Sequence, residues 1–72
     1  MDEVLNQSQL LIKAVESHFI AQRTKALANL NNYFSNPAAI GEHPDIVDES
    51  IKLLEKISHA DCVLETIKRI AT

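Results

Sequence analysis

His59 and Cys62 are the first pair of chemically versatile side chains to consider in this 72-residue chain. Three positions apart on a helix, an imidazole and a thiolate could both bind one zinc ion. A structural zinc site needs four ligands, however, and the sequence contains no CxxC or HxxxH pair to supply the others. As a nucleophile, Cys62 lacks a base in a defined position. We interpret His59 as a surface residue and Cys62 as a small, partly buried thiol.

A second group of titratable side chains surrounds the start of the second half of the chain: Glu42, His43, Asp45, Asp48 and Glu49. Such a group could exchange protons or bind a cation, but acidic residues at a helix start more often interact with the positive end of the helix dipole. A single glycine also excludes a glycine-rich phosphate loop. We therefore expect no enzyme activity, no catalytic residue, no metal site and no cofactor.

Arg23 lies beside Gln22 within an otherwise apolar stripe. Its guanidinium must reach solvent, pair with a carboxylate, or bind an anion between helices. The first two outcomes are the expected ones; the third, with Lys25 or His18 as further contacts, gives an alternative function, the binding of a small anionic ligand such as a nucleotide between subunits. The formal net charge of −3 and the absence of a basic face argue against a nucleic-acid partner.

Helix-breaking residues are confined to the middle of the chain, where Pro37, Gly41 and Pro44 fall within eight positions. The remaining sequence is rich in helix formers and lacks the alternation of a β-strand. Pro37 favours a helix end just before it, and Pro44 suits the first position of a new helix.

The predicted fold is therefore all-α: one domain over residues 1–72, built as an antiparallel two-helix hairpin with helices at about 2–34 and 44–71. The breaker-rich segment between them is the elbow. An apolar seam should join the helices along their length. We assign to it Leu5, Ser8, Ile12, Val15, Phe19, Ala26, Leu30 and Tyr33 of the first helix, and Ile46, Ser50, Leu53, Ile57, Ala60, Leu64, Ile67 and Ala71 of the second.

Ten further apolar residues fall outside this seam when each helical residue is rotated by 100° from the one before it. They form two patches on opposite sides of the hairpin. The elbow patch comprises Ile20, Leu27, Phe34, Val47, Ile51 and Leu54, and the terminal patch comprises Val4, Leu11, Val63 and Ile70.

A two-helix hairpin is one layer thick, so it cannot shelter either patch within one chain. At about 25 cal/mol per Å² of apolar area, covering several such side chains contributes several kcal/mol. We therefore expect self-association into a four-helix bundle through the elbow patch, with the terminal patch available for a larger assembly. The alternative is a marginally stable monomer. In that case the patches arise only because a seam with a repeat of 3.5 residues drifts slowly around a helix with 3.6 residues per turn.

The segment from Asn36 to Asp48, with the sequence NPAAIGEHPDIVD, resembles small helical-hairpin proteins of tailed phages, including those that infect marine cyanobacteria. The resemblance implies a viral origin and an intracellular setting during infection, and it carries no mechanism. An acidic start at Met1-Asp2-Glu3 and a longest aliphatic run of only Leu10-Leu11-Ile12 argue against export and membrane spanning.

The sequence thus predicts a non-enzymatic, cytoplasmic, oligomeric helical protein. We expect it to act by protein–protein interaction, in a phage structural, adaptor or inhibitor role. Its expected partners are copies of itself and another phage or host protein, with no nucleic acid and no membrane.

Overall fold

A computed structural model describes residues 6–35 and 45–71, and these residues form two helices, α1 (Gln7–Ser35) and α2 (Ile46–Ala71). The helices pack against each other as a hairpin. Leu11 near the start of α1 lines a groove with Ile70 near the end of α2, which shows that the helices run antiparallel. The predicted all-α hairpin is confirmed.

Both helices start at a side-chain cap. The Asn6 Oδ1 atom accepts a hydrogen bond from the Gln9 backbone N–H at 2.8 Å, and the Asn6 N–H donates to Gln9 Oε1 at 3.0 Å. This reciprocal pair is a capping box, which satisfies backbone donors that lack helical partners. In α2, the Asp45 Oδ1 atom accepts from the Asp48 backbone N–H at 2.9 Å.

These caps correct the predicted helix starts. Because Asp45 is the N-cap, α2 begins at Ile46, and Pro44, the predicted first position, lies outside the described residues. Because Asn6 caps α1, that helix begins at Gln7 rather than near residue 2, and the predicted segment 2–5 lies outside the described residues. The ends at Ser35 and Ala71 agree with the prediction within one residue.

The interior between the helices is thin. Its buried apolar residues are Ala26, Leu30, Leu53 and Ala60, and Ser50 is the buried polar residue among them. Tyr33 and Ile57 pack against the cluster formed by Ala26, Leu30 and Leu53 while remaining partly exposed. No large side chain of the described residues is fully buried, so the hairpin shelters little apolar surface by itself.

All five buried residues belong to the predicted seam, but the seam does not close along its whole length. Val15 and Ser8 belong to the predicted seam, but Val15 is 42% exposed and Ser8 is also exposed. Val15 instead lines an open apolar groove between the start of α1 and the end of α2. Within the described ranges, neither helix has an apolar stretch long enough to cross a membrane.

A candidate association surface

The elbow patch lies entirely on the surface of the hairpin. Between 45% and 67% of the area of each member is exposed. These side chains extend from the part of α1 that precedes the elbow and the part of α2 that follows it. Single exposed aliphatic residues are common in proteins, but six on one small hairpin form a candidate contact surface.

Helix periodicity and one shared groove place the two halves of this patch on the same side. Ile20, Leu27 and Phe34 are seven residues apart on α1, and Val47, Leu54 and Asp61 are seven residues apart on α2. Residues at this spacing lie on one face of a helix. Because Ile20 and Asp61 line the same groove of about 340 Å³, the two rows share one side of the hairpin. We call this side the elbow face.

The half of the elbow face farther from the elbow holds Ile20 and Leu64 among charged side chains, and we call it the charged half. The Arg23 Nη1 atom lies 3.0 Å from Asp61 Oδ1, which forms an ion pair between α1 and α2. Glu16, Glu65 and Lys68 line the groove around this pair. Pairing with a carboxylate is one of the three outcomes expected for Arg23. The side chains of Arg23 and Asp61 remain 36% and 53% exposed, so both can still contact other groups.

The terminal patch is only partly assembled. Leu11 and Ile70 are exposed and line one side of the open apolar groove, which has a volume of about 350 Å³. Val63 is half-buried and does not line this groove, and Val4 lies outside the described residues. The groove is completed by residues assigned to the seam: Ile12, Val15, Ile67 and Ala71.

The three residues considered for anion binding lie in different surroundings. Arg23 faces Asp61 on the elbow face. Lys25 lines a groove between the helices with Gln22 and Lys56. The His18 ring lies edge-on to Phe19 at a centroid distance of 4.8 Å. A single copy therefore does not bring the three side chains to one site.

His59 and Cys62 lie in different surroundings on α2. The His59 ring lies 5.8 Å from the ring of Phe19, measured between centroids, and helps to cover the seam. Cys62 is exposed, so its predicted partial burial is wrong: the residue lies on a part of α2 turned away from α1. In residues 6–35 and 45–71, no three His, Cys, Asp or Glu side chains are grouped so that they could hold a metal ion.

Three residues of the acidic group, Asp45, Asp48 and Glu49, are described, and they interact with one another and with the backbone at the start of α2. Asp45 caps the helix, and Glu49 pairs with Lys52 at 3.4 Å. The pKa of Asp48 is raised above its usual value of 3.8, first by a side-chain hydrogen bond with Asp45 and then by the negative charge of that residue. Glu42 and His43 lie outside the described residues.

Sequence reasoning missed Asp61 as the partner of Arg23. The two residues are 38 positions apart, so their contact depends on how the helices are aligned. Helical periodicity puts both beside the seam, which is the signal that could have identified the pair. Comparisons with protein-family models, curated proteins and solved structures find no match to this chain.

Proposed function

We propose that this protein acts by protein–protein interaction and that its first partner is a second copy bound through the elbow patch. The observation that supports this proposal is the contrast between six large exposed apolar side chains and a hairpin interior without a fully buried large one. Since each patch residue is about half exposed, covering it contributes roughly 1 kcal/mol. Six such residues in each of two copies give a gross apolar contribution comparable with the stability of a small domain, from which the cost of association is subtracted.

The test is a pair of aspartate substitutions at two leucines of nearly equal exposure. Leu27 belongs to the elbow patch and is 47% exposed, and Leu10 is 51% exposed on the outward side of α1. We expect Leu27→Asp to convert the oligomer to a monomer, because it places an unpaired charge in an apolar contact. Leu10→Asp should leave the assembly intact, because this position remains in water.

The measurement is the mass in solution by size-exclusion chromatography with light scattering at micromolar concentration. Circular dichroism of each variant separates loss of association from loss of helix. A wild-type protein with the mass of one chain, or equal effects of the two substitutions, would contradict the proposal.

The resemblance at Asn36 to Asp48 supports a more specific proposal, in which the oligomer works in the cytoplasm of a phage-infected cell. There it serves as a structural, adaptor or inhibitor protein for a phage or host partner. The described part of the resembling segment, Asp45 to Asp48, forms the cap and first turn of α2. These residues position the helix that carries half of the elbow patch.

A second proposed function is the sequestration of a small anionic ligand, such as a nucleotide, between subunits. One observation favours it: Lys25 and Lys56 line the same groove between the helices, and neither forms an ion pair within the described part of the chain. Unpaired ammonium groups are suited to phosphate oxygens. The groove also contains Gln22 and Asn29 as polar neighbours.

A thermal-shift screen with ATP, GTP and inorganic phosphate tests this second function. A nucleotide that binds the folded protein should raise the melting temperature. The rise should be lost in Lys25→Gln and retained in Lys13→Gln, which removes an exposed charge elsewhere on α1. No shift with any of the three compounds would remove this candidate.

A further inference from the structure

We infer that two copies associate about a two-fold axis parallel to the long axis of the hairpin, so that their elbows lie at the same end. In this arrangement α1 of each copy packs on α2 of the other. The inference rests on the proposed self-association and specifies its geometry. It depends on the division of the elbow face into an apolar half near the elbow and a charged half beyond it.

The alignment of α1 with α2 fixes which residues lie at the same height. Arg23 contacts Asp61, so these two residues share a height along the hairpin. Ala26 and Leu53 belong to one buried cluster, which puts their neighbours Leu27 and Leu54 within about one helical turn of each other in height, nearer the elbow than the ion pair.

A two-fold axis along the hairpin brings each α1 over the partner's α2 without changing height. Leu27 then faces Leu54 of the partner subunit, and the apolar halves of the two faces cover each other. Adjacent helices run antiparallel all around the resulting four-helix bundle, as in the simplest known bundles.

The same operation makes the charged halves complementary. Arg23 faces Asp61 of the partner subunit, while each arginine also keeps the aspartate of its own chain. Two ion pairs within chains thereby become a ring of four charges that alternate in sign. The partial exposure of both side chains leaves room for this second contact.

An axis perpendicular to the hairpin lacks this complementarity. It lays α1 on α1 of the partner subunit in reverse, so full overlap sets the apolar half of one face against the charged half of the other. Restricting the contact to the apolar halves avoids this conflict but loses half of the area.

The dimensions of the hairpin favour full overlap. Its principal extents are 50 × 25 × 15 Å, so one complete face presents on the order of 1,000 Å². A standard stable interface needs about 800 Å² from each partner, which the elbow half alone does not supply. Only the axis parallel to the hairpin uses the complete face and also sets apolar side chains against apolar ones and each arginine against an aspartate.

A distance between two spin labels distinguishes the two axes. The double variant Ser8→Cys/Cys62→Ser carries one thiol on the exposed first turn of α1 and removes the native exposed one. With elbows at the same end, both labels lie at one end of the bundle, and pulsed dipolar spectroscopy should give less than about 35 Å. With the perpendicular axis centred on Leu27, a rise of about 1.5 Å per residue separates them by more than about 50 Å.

Charge reversal provides an independent measurement on the same interface. We expect Arg23→Glu to raise the dimer dissociation constant at least tenfold, because it places like charges beside both aspartates. Adding Asp61→Arg restores alternation around the ring and should recover most of the affinity. Circular dichroism verifies that each variant is helical.

The outcomes separate this inference from the proposed function. A wild-type monomer would overturn both. A dimer with a label distance above about 50 Å, or with a dissociation constant unaffected by Arg23→Glu, would overturn the parallel axis and leave self-association standing.

Discussion

At the scale of single residues, Ser50 is the clearest departure from ideal packing. It is 8% exposed, and its Oγ atom has no hydrogen-bond partner among the described residues. A buried hydroxyl without a partner costs about 1–3 kcal/mol, and serine is also a poorer helix former than alanine.

We expect Ser50→Ala to increase the free energy of unfolding by about 1–2 kcal/mol, measured by urea denaturation at one fixed protein concentration. Ser58→Ala is the matched control on the same helix, because Ser58 is exposed and its replacement changes only helix propensity. A gain no larger than that of the control would mean that the Ser50 hydroxyl is satisfied in solution.

At this scale, the sequence predicted an interaction when the residue type allows only a few kinds of partner. It did not predict a contact that depends on how α1 and α2 are aligned along each other. The position of Arg23 beside an apolar seam made a carboxylate partner one of few outcomes, and the structure shows that pairing. Spacing within each helix puts Arg23 and Asp61 beside the seam, but it does not say how far one helix slides along the other, and this alignment decides which carboxylate meets Arg23.

At the scale of elements, the start of α2 combines one favourable and one unfavourable interaction. The Asp45 carboxylate caps the helix, and the same carboxylate raises the pKa of Asp48, first through a side-chain hydrogen bond and then by repelling its negative charge. Since the pKa of Asp48 is raised in the folded protein, the folded state binds this proton more tightly than the unfolded chain does. That contribution to stability is present below pH 3.8 and is lost as the pH rises through the raised pKa.

We expect Asp45→Asn to lower the pKa of Asp48 towards 3.8. The neutral amide oxygen still caps the helix, but it is a weaker acceptor than a carboxylate for the hydrogen bond from Asp48 and it carries no repelling charge. Carboxyl ¹³C chemical shifts followed through an acid titration measure this change directly. As a control, Glu65→Gln lies far along α2 and should leave the pKa of Asp48 where it is. An unchanged pKa in Asp45→Asn would show that Asp45 is not the cause.

The helices themselves were predictable because periodicity and breakers agree for both of them, and in α2 the charges of the first and last turns agree as well. The first residue of each helix was harder to predict. Several neighbouring polar residues could cap the helix, and the sequence does not show that Asn6 and Asp45 are the ones that do. The cysteine shows the same limit, as a small rotation of α2 separates a half-buried position from an exposed one.

At the scale of the whole molecule, the sequence predicted a hairpin with more apolar surface than it can cover, and the exposed elbow patch agrees with that picture. The terminal end was harder to predict. A seam drawn at constant spacing assumes helices that stay in contact, whereas the described groove separates Val15 from α2. Divergence of two helices is a property of their mutual packing, which a pattern within one helix does not contain.

The thin interior of the hairpin has a consequence for how the protein would persist in a cell. On the proposed association, a newly made chain without a twin is held together weakly, and proteases cleave chains that open often. Scarce copies would be degraded early, while copies made in quantity would protect one another. Accumulation would then rise more steeply than synthesis, and the protein would be abundant only during bursts of expression.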